Sequence, residues 1–413
     1  MKKGFAFLVF TMSAVVTPLT AQLGELSSNS PYFNELRTIS TAVPIISISP
    51  DSRSGAMGDV GVATSPDAAS LFWNPAKLAF LEDGTRSLSL SYTPWLNKLV
   101  NDINLAYVSY VFKMGDNQGM GFAMRYFSLG TINFRDEQNN SLGDQKPYEL
   151  ALNGAYALKL NDNMGLAVGL RYILSDLTRG VMVNGAETKA GQSFAADLGY
   201  YYKSREYNME GGMKQAASFG LNISNVGGKI SYGNDADADF IPTNLRIGGG
   251  YHLRFDEYNR MSFYVDLNKL LVPTPPIREG DPGFEGDLNQ NGDANDRSVW
   301  IGKDDQVTSF QGIFQSFNDA PGGGSEELEE VVVNVGAEFW YDDRFALRGG
   351  YQYEDQEKGA RQYFTLGLGI KFNVFGLDFA YLIPASATVK SPLENTLRFS
   401  LLFDFENFSS QDK

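Results

Sequence analysis

The sequence predicts an all-β fold, a 14-stranded transmembrane antiparallel β-barrel with an N-terminal plug segment in its lumen. Three observations predict it: an export signal at the N-terminus, ten-residue segments of alternating polarity, and connections that are alternately long and short. A strand that crosses an outer membrane needs about 9–11 residues that point alternately to lipid and to the lumen. The segments from residue 86 onward have this length and this pattern.

The last of these segments shows the alternation most clearly. Leu397, Phe399 and Leu401 share one face, whereas Arg398 and Ser400 share the other. A soluble sheet would bury the apolar face under a second layer, but a barrel turns that face to lipid. The predicted strands are 86–93, 104–113, 119–129, 148–160, 164–174, 193–203, 216–224, 243–254, 260–269, 331–341, 344–353, 361–372, 374–383 and 395–405.

The connections between these strands give an independent indication of a barrel. If both termini lie in the periplasm, connections after odd strands should be long and those after even strands short. The sequence follows this rule, from the 270–330 loop after an odd strand to the single residue 373 after an even one. Only 204–215 is longer than expected, and the segment 104–113 alternates poorly. This parity favours a barrel over a secreted β-sandwich.

The N-terminus predicts a cleaved secretory signal and hence a location in the outer membrane. A charged start and a short apolar run lead to Pro18 and to small residues before a cleavage site at Ala21/Gln22. The alternative is an N-terminal membrane anchor, for which the run is short. The predicted organisation is a signal peptide at 1–21, a hatch or plug segment at 22–85, a barrel at 86–405 that includes the long extracellular loop 270–330, and a C-terminal tail at 406–413.

Composition argues against several classes of function. The net charge is −15, so the negatively charged backbone of a nucleic acid is not an expected partner. The chain has no Cys and one His, so a Cys–His dyad is excluded and a His-based triad could use only His252. This residue shares a strand face with Arg246 and Arg254 and is predicted to be a hydrogen-bonded lumen histidine. We therefore predict a protein that is not an enzyme.

Two stretches before the barrel combine turn-forming residues with a compact motif. They are residues 54–63 (SGAMGDVGVA) and 67–78 (DAASLFWNPAKL). They indicate either a leader rich in tight turns or a plug, for which a barrel of fourteen strands has room. The residues of the predicted plug motif are Gly55, Met57, Gly58, Asp67, Trp73, Asn74, Pro75 and Ala76.

This motif resembles the hatch of the FadL-like barrel family, in which a Gly-Met-Gly turn precedes an Asp and then a Trp/Tyr-Asn-Pro-Ala sequence. The fourteen predicted strands agree with that fold. Residues 49–53 (SPDSR), the 71–78 motif and the long acidic loop further resemble the PorV (LptO) family of the type IX secretion system. The resemblance extends along the entire mature chain.

The resemblance implies a non-enzymatic component of type IX secretion that shuttles protein cargo. Such a protein would accept cargo with C-terminal signal domains from a SprA/Sov-type translocon and pass it to a PorU-type sortase for attachment at the cell surface. As an outer-membrane barrel, it would also contact outer-membrane lipid and lipopolysaccharide.

Two rival functions remain open at this point. The first is a FadL-like uptake channel for hydrophobic small molecules, and the second is a purely structural, porin-like protein. An uptake channel should show an apolar pocket that faces the lumen beside the hatch. A carrier should instead show a loop surface that meets proteins.

One segment of the long loop has the spacing of a calcium-binding loop. Oxygen-bearing side chains occupy positions 1, 3, 5 and 9 of residues 287–298, and Gly292 occupies position 6, where a sharp turn is needed. Position 12 is Ser298 rather than Glu, so a bidentate ligand must come from elsewhere. We predict a structural Ca²⁺ that orders the loop, and the alternative is a solvated turn. The predicted ligands are Asp287, Asn289, Asn291, Asn295 and Asp296.

The 270–330 loop is predicted to carry the partner-binding surface. Loops longer than about 15 residues are usually functional or disordered, and the aromatic residues in this one argue against disorder. Residues 306–317 predict a short amphipathic helix whose apolar side is free for a partner, although a lid over the barrel fits equally well. The aromatic residues predicted to bind the partner are Trp300, Phe310, Phe314 and Phe317.

Overall fold

Antiparallel strands form at all of the predicted segments in the computed structural model. Among the described residues, the long strands β1 to β14 each end within three residues of the predicted bounds. The structure describes residues 38–94, 102–135, 139–183, 186–209, 211–233, 238–281, 297–385 and 396–405. The long strands are Arg86–Pro94, Ile103–Met114, Gln118–Leu129, Tyr148–Lys159, Met164–Asp176, Gly191–Lys203, Lys214–Gly227, Asn244–Arg254, Asn259–Leu270, Val332–Tyr341, Phe345–Tyr353, Tyr363–Phe372, Phe375–Pro384 and Leu397–Asp404.

The sheet closes on itself. Each long strand pairs antiparallel with the next one in the chain, and β1 also pairs with β14, where Leu90 lies opposite Leu401. Closure satisfies the backbone hydrogen bonds of what would otherwise be two free edges. The prediction of a 14-stranded antiparallel barrel is therefore confirmed over the residues that the structure describes.

The barrel turns its apolar face outward. On β14, Leu397, Phe399 and Leu401 are 36–47% exposed, whereas Arg398 and Ser400 between them are at most 2% exposed. This arrangement agrees with the predicted assignment of the last strand, and it places large apolar side chains where lipid would meet them.

β2 explains why one segment alternates poorly in the sequence. Its inward side chains include Leu105, Tyr107 and Val111, which are apolar or aromatic and are buried. They pack against lumenal residues such as Ile46 and Leu71 rather than facing water. Because both faces of β2 carry apolar residues, the period of two is hidden in the sequence.

The lumen is filled by residues 44–80, which we call the hatch. Its helical turns are 3₁₀ helices at Pro44–Ser47 and Pro75–Phe80, and short α-helices α1 (Ser52–Gly55) and α2 (Ser70–Trp73). The α1 turn contacts β12, β13 and β14, whereas the Pro75–Phe80 turn contacts β2 to β6. The hatch therefore reaches from one side of the barrel wall to the other.

The connections distinguish two rims. We call the rim that carries the loop between β9 and β10 the outer rim and the opposite one the inner rim. The 204–215 connection, which is longer than the parity rule expects, forms a small hairpin because Tyr207–Asn208 pairs with the start of β7. The remaining short strands are Ile132–Arg135 with Ser141–Gln145, Met182–Val183 with Ala186–Glu187, and Ile277–Arg278 with Val299–Ile301.

Three short helical elements complete the outer rim. These are α3 (Ser309–Gln315), α4 (Gly324–Glu329) and a 3₁₀ turn at Gln356–Lys358. Residues 306–317 were predicted to contain a helix, and α3 lies within that range. None of the described helices is long and apolar enough to cross a membrane. The predicted signal peptide, residues 22–37 and the predicted tail lie outside the described residues.

Candidate functional site

The first part of the plug motif is a turn that fits closely against β11 and β12. Gly58 has φ +68°, and its N–H donates to Thr365 Oγ1 at 2.7 Å. A Cβ on Gly58 would lie 2.6 Å from the carbonyl oxygen of Tyr351, so no other residue fits there without displacing the wall. Gly55 similarly faces an arginine of β14, and Met57 is fully buried.

The second part of the motif ties the hatch to β6 through Asn74. Its Nδ2 donates to the carbonyls of Tyr200 at 2.8 Å and Val62 at 3.1 Å, and its Oδ1 accepts from the N–H of Ala76 at 3.1 Å. Asn74 thereby caps the turn that begins at Pro75, where a proline loses no hydrogen bond. The Asn74 side chain thus connects a helical turn, the hatch backbone at Val62 and the barrel wall.

Buried polar contacts also hold the hatch together internally. Asp51 accepts from Trp73 Nε1 at 2.7 Å and from the N–H of Ser54 at 2.8 Å, and burial raises the pKa of its carboxyl. Lys77 donates to the carbonyl of Gly61 at 2.7 Å, and burial lowers the pKa of its amine to about 8. Their polar atoms are thus satisfied within the hatch, as buried groups require.

A chain of ion pairs connects the hatch to β10, β11 and β13. Arg53 reaches Asp67 at 2.7 Å within the hatch and Glu338 at 2.9 Å on β10. Arg348 on β11 continues the chain, 2.8 Å from Glu338 and 2.5 Å from Asp378. These side chains are at most 14% exposed, so each charge depends on its neighbours for compensation.

An aromatic residue of the hatch is held between two arginines of the barrel wall. The guanidinium carbons of Arg125 on β3 and Arg246 on β8 lie 4.6 Å and 4.8 Å from the ring centre of Phe72. Arg125 also donates to the carbonyl of Ile45 at 2.6 Å. Cation–π contacts of this kind strengthen when they are desolvated, as they are here.

Sequence reasoning found the hatch motif but missed its partners on the wall. Asp266 on β9 accepts from the N–H groups of Gly61 at 2.6 Å and Val62 at 2.9 Å. The hatch motif alone gives no sign that a residue of β9 holds it. Glycines on the inner face are a second missed feature. A Cβ on Gly220 would lie 2.1 Å from the Val62 carbonyl oxygen. Inward-facing Asp and Gly at mid-strand are the signals that could have indicated these contacts.

His252 on β8 faces the lumen near the inner rim. Its Nε2 lies 3.0 Å from Ser218 Oγ and its Nδ1 lies 2.9 Å from Ser262 Oγ. Ser218 in turn donates to the carbonyl of Ala63 in the hatch at 2.7 Å. The sequence did not reveal this Ser–His contact. Because Nδ1 meets a hydroxyl instead of a carboxylate, the group does not have the Ser-His-Asp arrangement of a hydrolase.

The predicted partner-binding aromatic residues lie on the large outer loop. Phe310 and Phe314 project from α3 with their ring centres 5.1 Å apart, and they are 69% and 64% exposed. Phe317, just beyond the helix, is 50% exposed, and Trp300, in the short strand pair, is 42% exposed. The structure therefore brings the first two together and leaves all four accessible.

The base of this loop is held by buried ion pairs. Lys269 at the end of β9 reaches Glu330 at 2.6 Å and Glu327 at 2.9 Å, and Lys358 reaches Glu326 at 2.6 Å and Glu330 at 3.1 Å. The acidic residues at the end of the loop, Glu326, Glu327 and Glu330, thus anchor it to the rim.

Two further features bear on the expectations from sequence. A cavity of about 630 Å³ lies beside the hatch on its outer side, and its lining mixes apolar residues with charged ones that include Arg246, Arg361 and Arg398.

The predicted calcium ligands all fall within 287–296, which lies outside the described residues.

Comparisons with solved structures return proteins of low sequence identity. The toluene transporter TbuX of Ralstonia pickettii is 14% identical, with 90% of this chain and 99% of that chain covered and a TM-score of 0.45. The toluene transporter TodX of Pseudomonas putida is 13% identical, with 89% and 98% covered and a TM-score of 0.43. A Pseudomonas aeruginosa FadL homologue is 11% identical, with 87% and 99% covered and a TM-score of 0.39.

The sequence comparisons identify a family. No curated protein sequence matches the chain. The family model described as "Type IX secretion system protein PorV" matches residues 32–277, which is more than half of the 413 residues and includes the whole hatch. Because the match has this extent and the chain forms a closed 14-stranded barrel, the protein belongs to the PorV family and is a non-enzymatic outer-membrane component of the type IX secretion system.

Proposed function

We propose that the protein binds secreted cargo with C-terminal signal domains at a SprA/Sov-type translocon and passes it to a PorU-type sortase. We further propose that the outer loop, and not the lumen, makes the contact with the translocon and its cargo. The observation that carries this proposal is the pair of exposed aromatic side chains on α3, Phe310 and Phe314.

The exposed pair belongs to a fixed element and not to a loose segment. A Cβ on Gly312 of α3 would lie 2.9 Å from the Phe240 ring and 3.0 Å from Pro273, so the helix packs closely on the outer rim. With that side of α3 buried, Phe310 and Phe314 project from the opposite side. Aromatic residues exposed on a rigid support are typical anchors of protein interfaces.

The lumen supports the carrier better than an uptake channel. The hatch reaches across the barrel and is held by the ion pairs around Arg53 and Glu338. The cavity beside it has the largely apolar lining that an uptake channel would also need, but this lining includes the cations Arg246, Arg361 and Arg398, and the hatch lies between the cavity and the inner rim. These features favour a barrel that is plugged by the hatch and that contacts its protein partners through its outer surface.

The double variant Phe310→Ser/Phe314→Ser tests this proposal. We expect at least a roughly tenfold loss of translocon and cargo that copurify from mildly solubilised outer membrane, since central aromatic anchors contribute about 2 kcal/mol or more each. Gln311→Ser on the same helix is the matched control, because Gln311 is exposed but polar. Normal copurification by a double variant that still shows heat-modifiable barrel migration would overturn the proposal.

A further inference from the structure

The described part of the chain begins at the outer rim of the barrel. The N–H of Ala42 donates to the carbonyl of Phe240 at 2.9 Å, and Phe240 lies in the connection between β7 and β8. This connection is on the same rim as the loop between β9 and β10, because each long strand runs opposite to its neighbours. Thr38 and Ser40, which precede the contact, are exposed.

The hatch runs from this rim to the opposite one. Its first turn, Pro44–Ser47, lines the cavity beneath the outer loop. Its last residues lead into β1, where the carbonyl of Thr85 accepts from the N–H of Lys113 at 3.0 Å, at the inner end of β2. The chain therefore passes through the lumen from the outer rim to the inner rim before its first long strand begins.

The C-terminal end of the barrel lies at the inner rim. The N–H of Asp404, the last residue of β14, donates at 2.8 Å to the carbonyl of Val374 in the short turn between β12 and β13. The two ends of the described chain are thus on opposite rims, although the rule for long and short connections assumed that both termini share one side. That rule needs only the start of β1 and the end of β14 at the inner rim, so it still holds.

The hatch leaves no path by which an extended chain could return to the inner rim. Residues 56–63 contact β7 to β12 in turn, whereas α1 contacts β13 and β14 and the Pro75–Phe80 turn contacts β2 to β6. These contacts are close, since a Cβ on Gly220 would lie 2.1 Å from the Val62 carbonyl oxygen. Outside the wall, lipid offers no partner for an irregular backbone.

We propose that the mature chain enters the barrel from the cell surface, so that the segment before Thr38 is extracellular and not periplasmic. Long loops mark the extracellular rim of an outer-membrane barrel, and short turns mark the periplasmic rim. The chain leaves the lumen beside α3, because Phe240 also packs against Gly312 of that helix. The segment is thereby open to extracellular proteins and closed to periplasmic ones. The inference goes beyond the function proposed above and does not depend on it.

Labelling of single thiols tests the proposal, since the chain has no Cys of its own. Ser40→Cys and Ser28→Cys are treated, in intact and in permeabilised cells, with a maleimide joined to a polyethylene glycol too large for porins. We expect each to be labelled to the same extent in both conditions, as is Gln311→Cys on α3. Asn208→Cys in the inner-rim hairpin should be labelled at least about tenfold more after permeabilisation, because a thiol reacts only where the reagent reaches it.

Two results would overturn the proposal. The first is labelling of Ser40→Cys or Ser28→Cys that requires permeabilisation, as that of Asn208→Cys does. The second is labelling of Asn208→Cys but not of Gln311→Cys in intact cells, because the rim that carries the large loop would then face the periplasm. Heat-modifiable migration of each variant checks that its barrel is folded.

Discussion

At the scale of single residues, the lumen depends on paired charges. Arg53 lies between the carboxylates of Asp67 and Glu338, and Arg348 shares Glu338 with it. Removing one member of a buried pair typically costs about 3–5 kcal/mol, because the remaining charge is left without compensation. The hatch is therefore held by contacts that single substitutions can loosen while the strand pairing of the wall remains.

A separate prediction concerns the contact between the outer face of β14 and lipid. Leu401 is exposed near the middle of β14, whereas Leu397 is exposed at its first residue, by the outer rim. Leu401→Arg should lower the free energy of unfolding by roughly 2–4 kcal/mol, and Leu397→Arg by only about 0–1 kcal/mol, because a cation is most costly at the bilayer midplane. Urea unfolding in phospholipid vesicles measures both. A larger cost for Leu397→Arg would invert the assigned depth of the strand.

Ser400 is not a suitable control for that comparison. Its hydroxyl accepts from the N–H of Ser52 in the hatch at 2.9 Å and lies 2.7 Å from the hydroxyl of Ser91. An arginine there would displace the hatch, so its cost would report packing in the lumen rather than contact with lipid.

At the scale of elements, the strands were predictable because the signal is strong and repeated. Lipid imposes apolar side chains on one face along β14, and the same pattern recurs on β3, β4, β5 and β12. β2 alternates poorly because the hatch packs against its inner face, at Tyr107 and Val111. The partners of the hatch could not be predicted, since the contact of Gly61 with Asp266 joins residues far apart in the chain.

The outer loop was predictable in composition but not in architecture. The sequence indicated a helix and accessible aromatic residues, and the structure places Phe310 and Phe314 on α3. Nothing in the sequence indicated that Lys269 and Lys358 would pair with Glu327 and Glu326 at the end of the loop, because those lysines belong to other elements of the structure. The 282–296 segment lies outside the described residues, so calcium binding there stays a prediction.

The stability of the folded outer loop should depend on pH through Asp319, which lies at the base of the loop. Burial, and then the nearby Glu327, raise the pKa of this carboxyl to about 6. In the folded loop Asp319 therefore keeps its proton up to a higher pH than in the unfolded chain, where its pKa is 3.8. The resulting stabilisation is complete below about pH 3.8 and is lost as the pH rises through about 6.

Hydrogen exchange measures this effect directly. Protection factors of amides in 271–281 and 297–330 should be several-fold higher at about pH 5 than at about pH 7.5. Asp319→Asn should remove most of the difference, because its side chain does not titrate. Exposed Asp304, which pairs with Arg278, provides the control Asp304→Asn, which should leave the difference in place. A loop whose protection is independent of pH in the wild type would contradict the assignment to Asp319.

At the scale of the whole molecule, two parts have separate tasks in this account. The hatch fills the lumen and its helical turns contact β2 to β6 and β12 to β14, and the outer loop presents the aromatic pair on a fixed helix. Family membership establishes a role in type IX secretion, and the lumen of the barrel is occupied by the hatch.

The most direct test compares a loosened hatch with an altered loop in the same cells. Arg53→Met removes the link from the hatch to Glu338, and Phe310→Ser/Phe314→Ser removes the aromatic pair. Surface-displayed cargo and uptake of a large fluorescent dye are measured for both variants. We predict that the loop variant loses cargo display and stays impermeable, whereas the hatch variant admits dye and keeps display. Normal display in the loop variant, together with lost display in the hatch variant, would contradict the account.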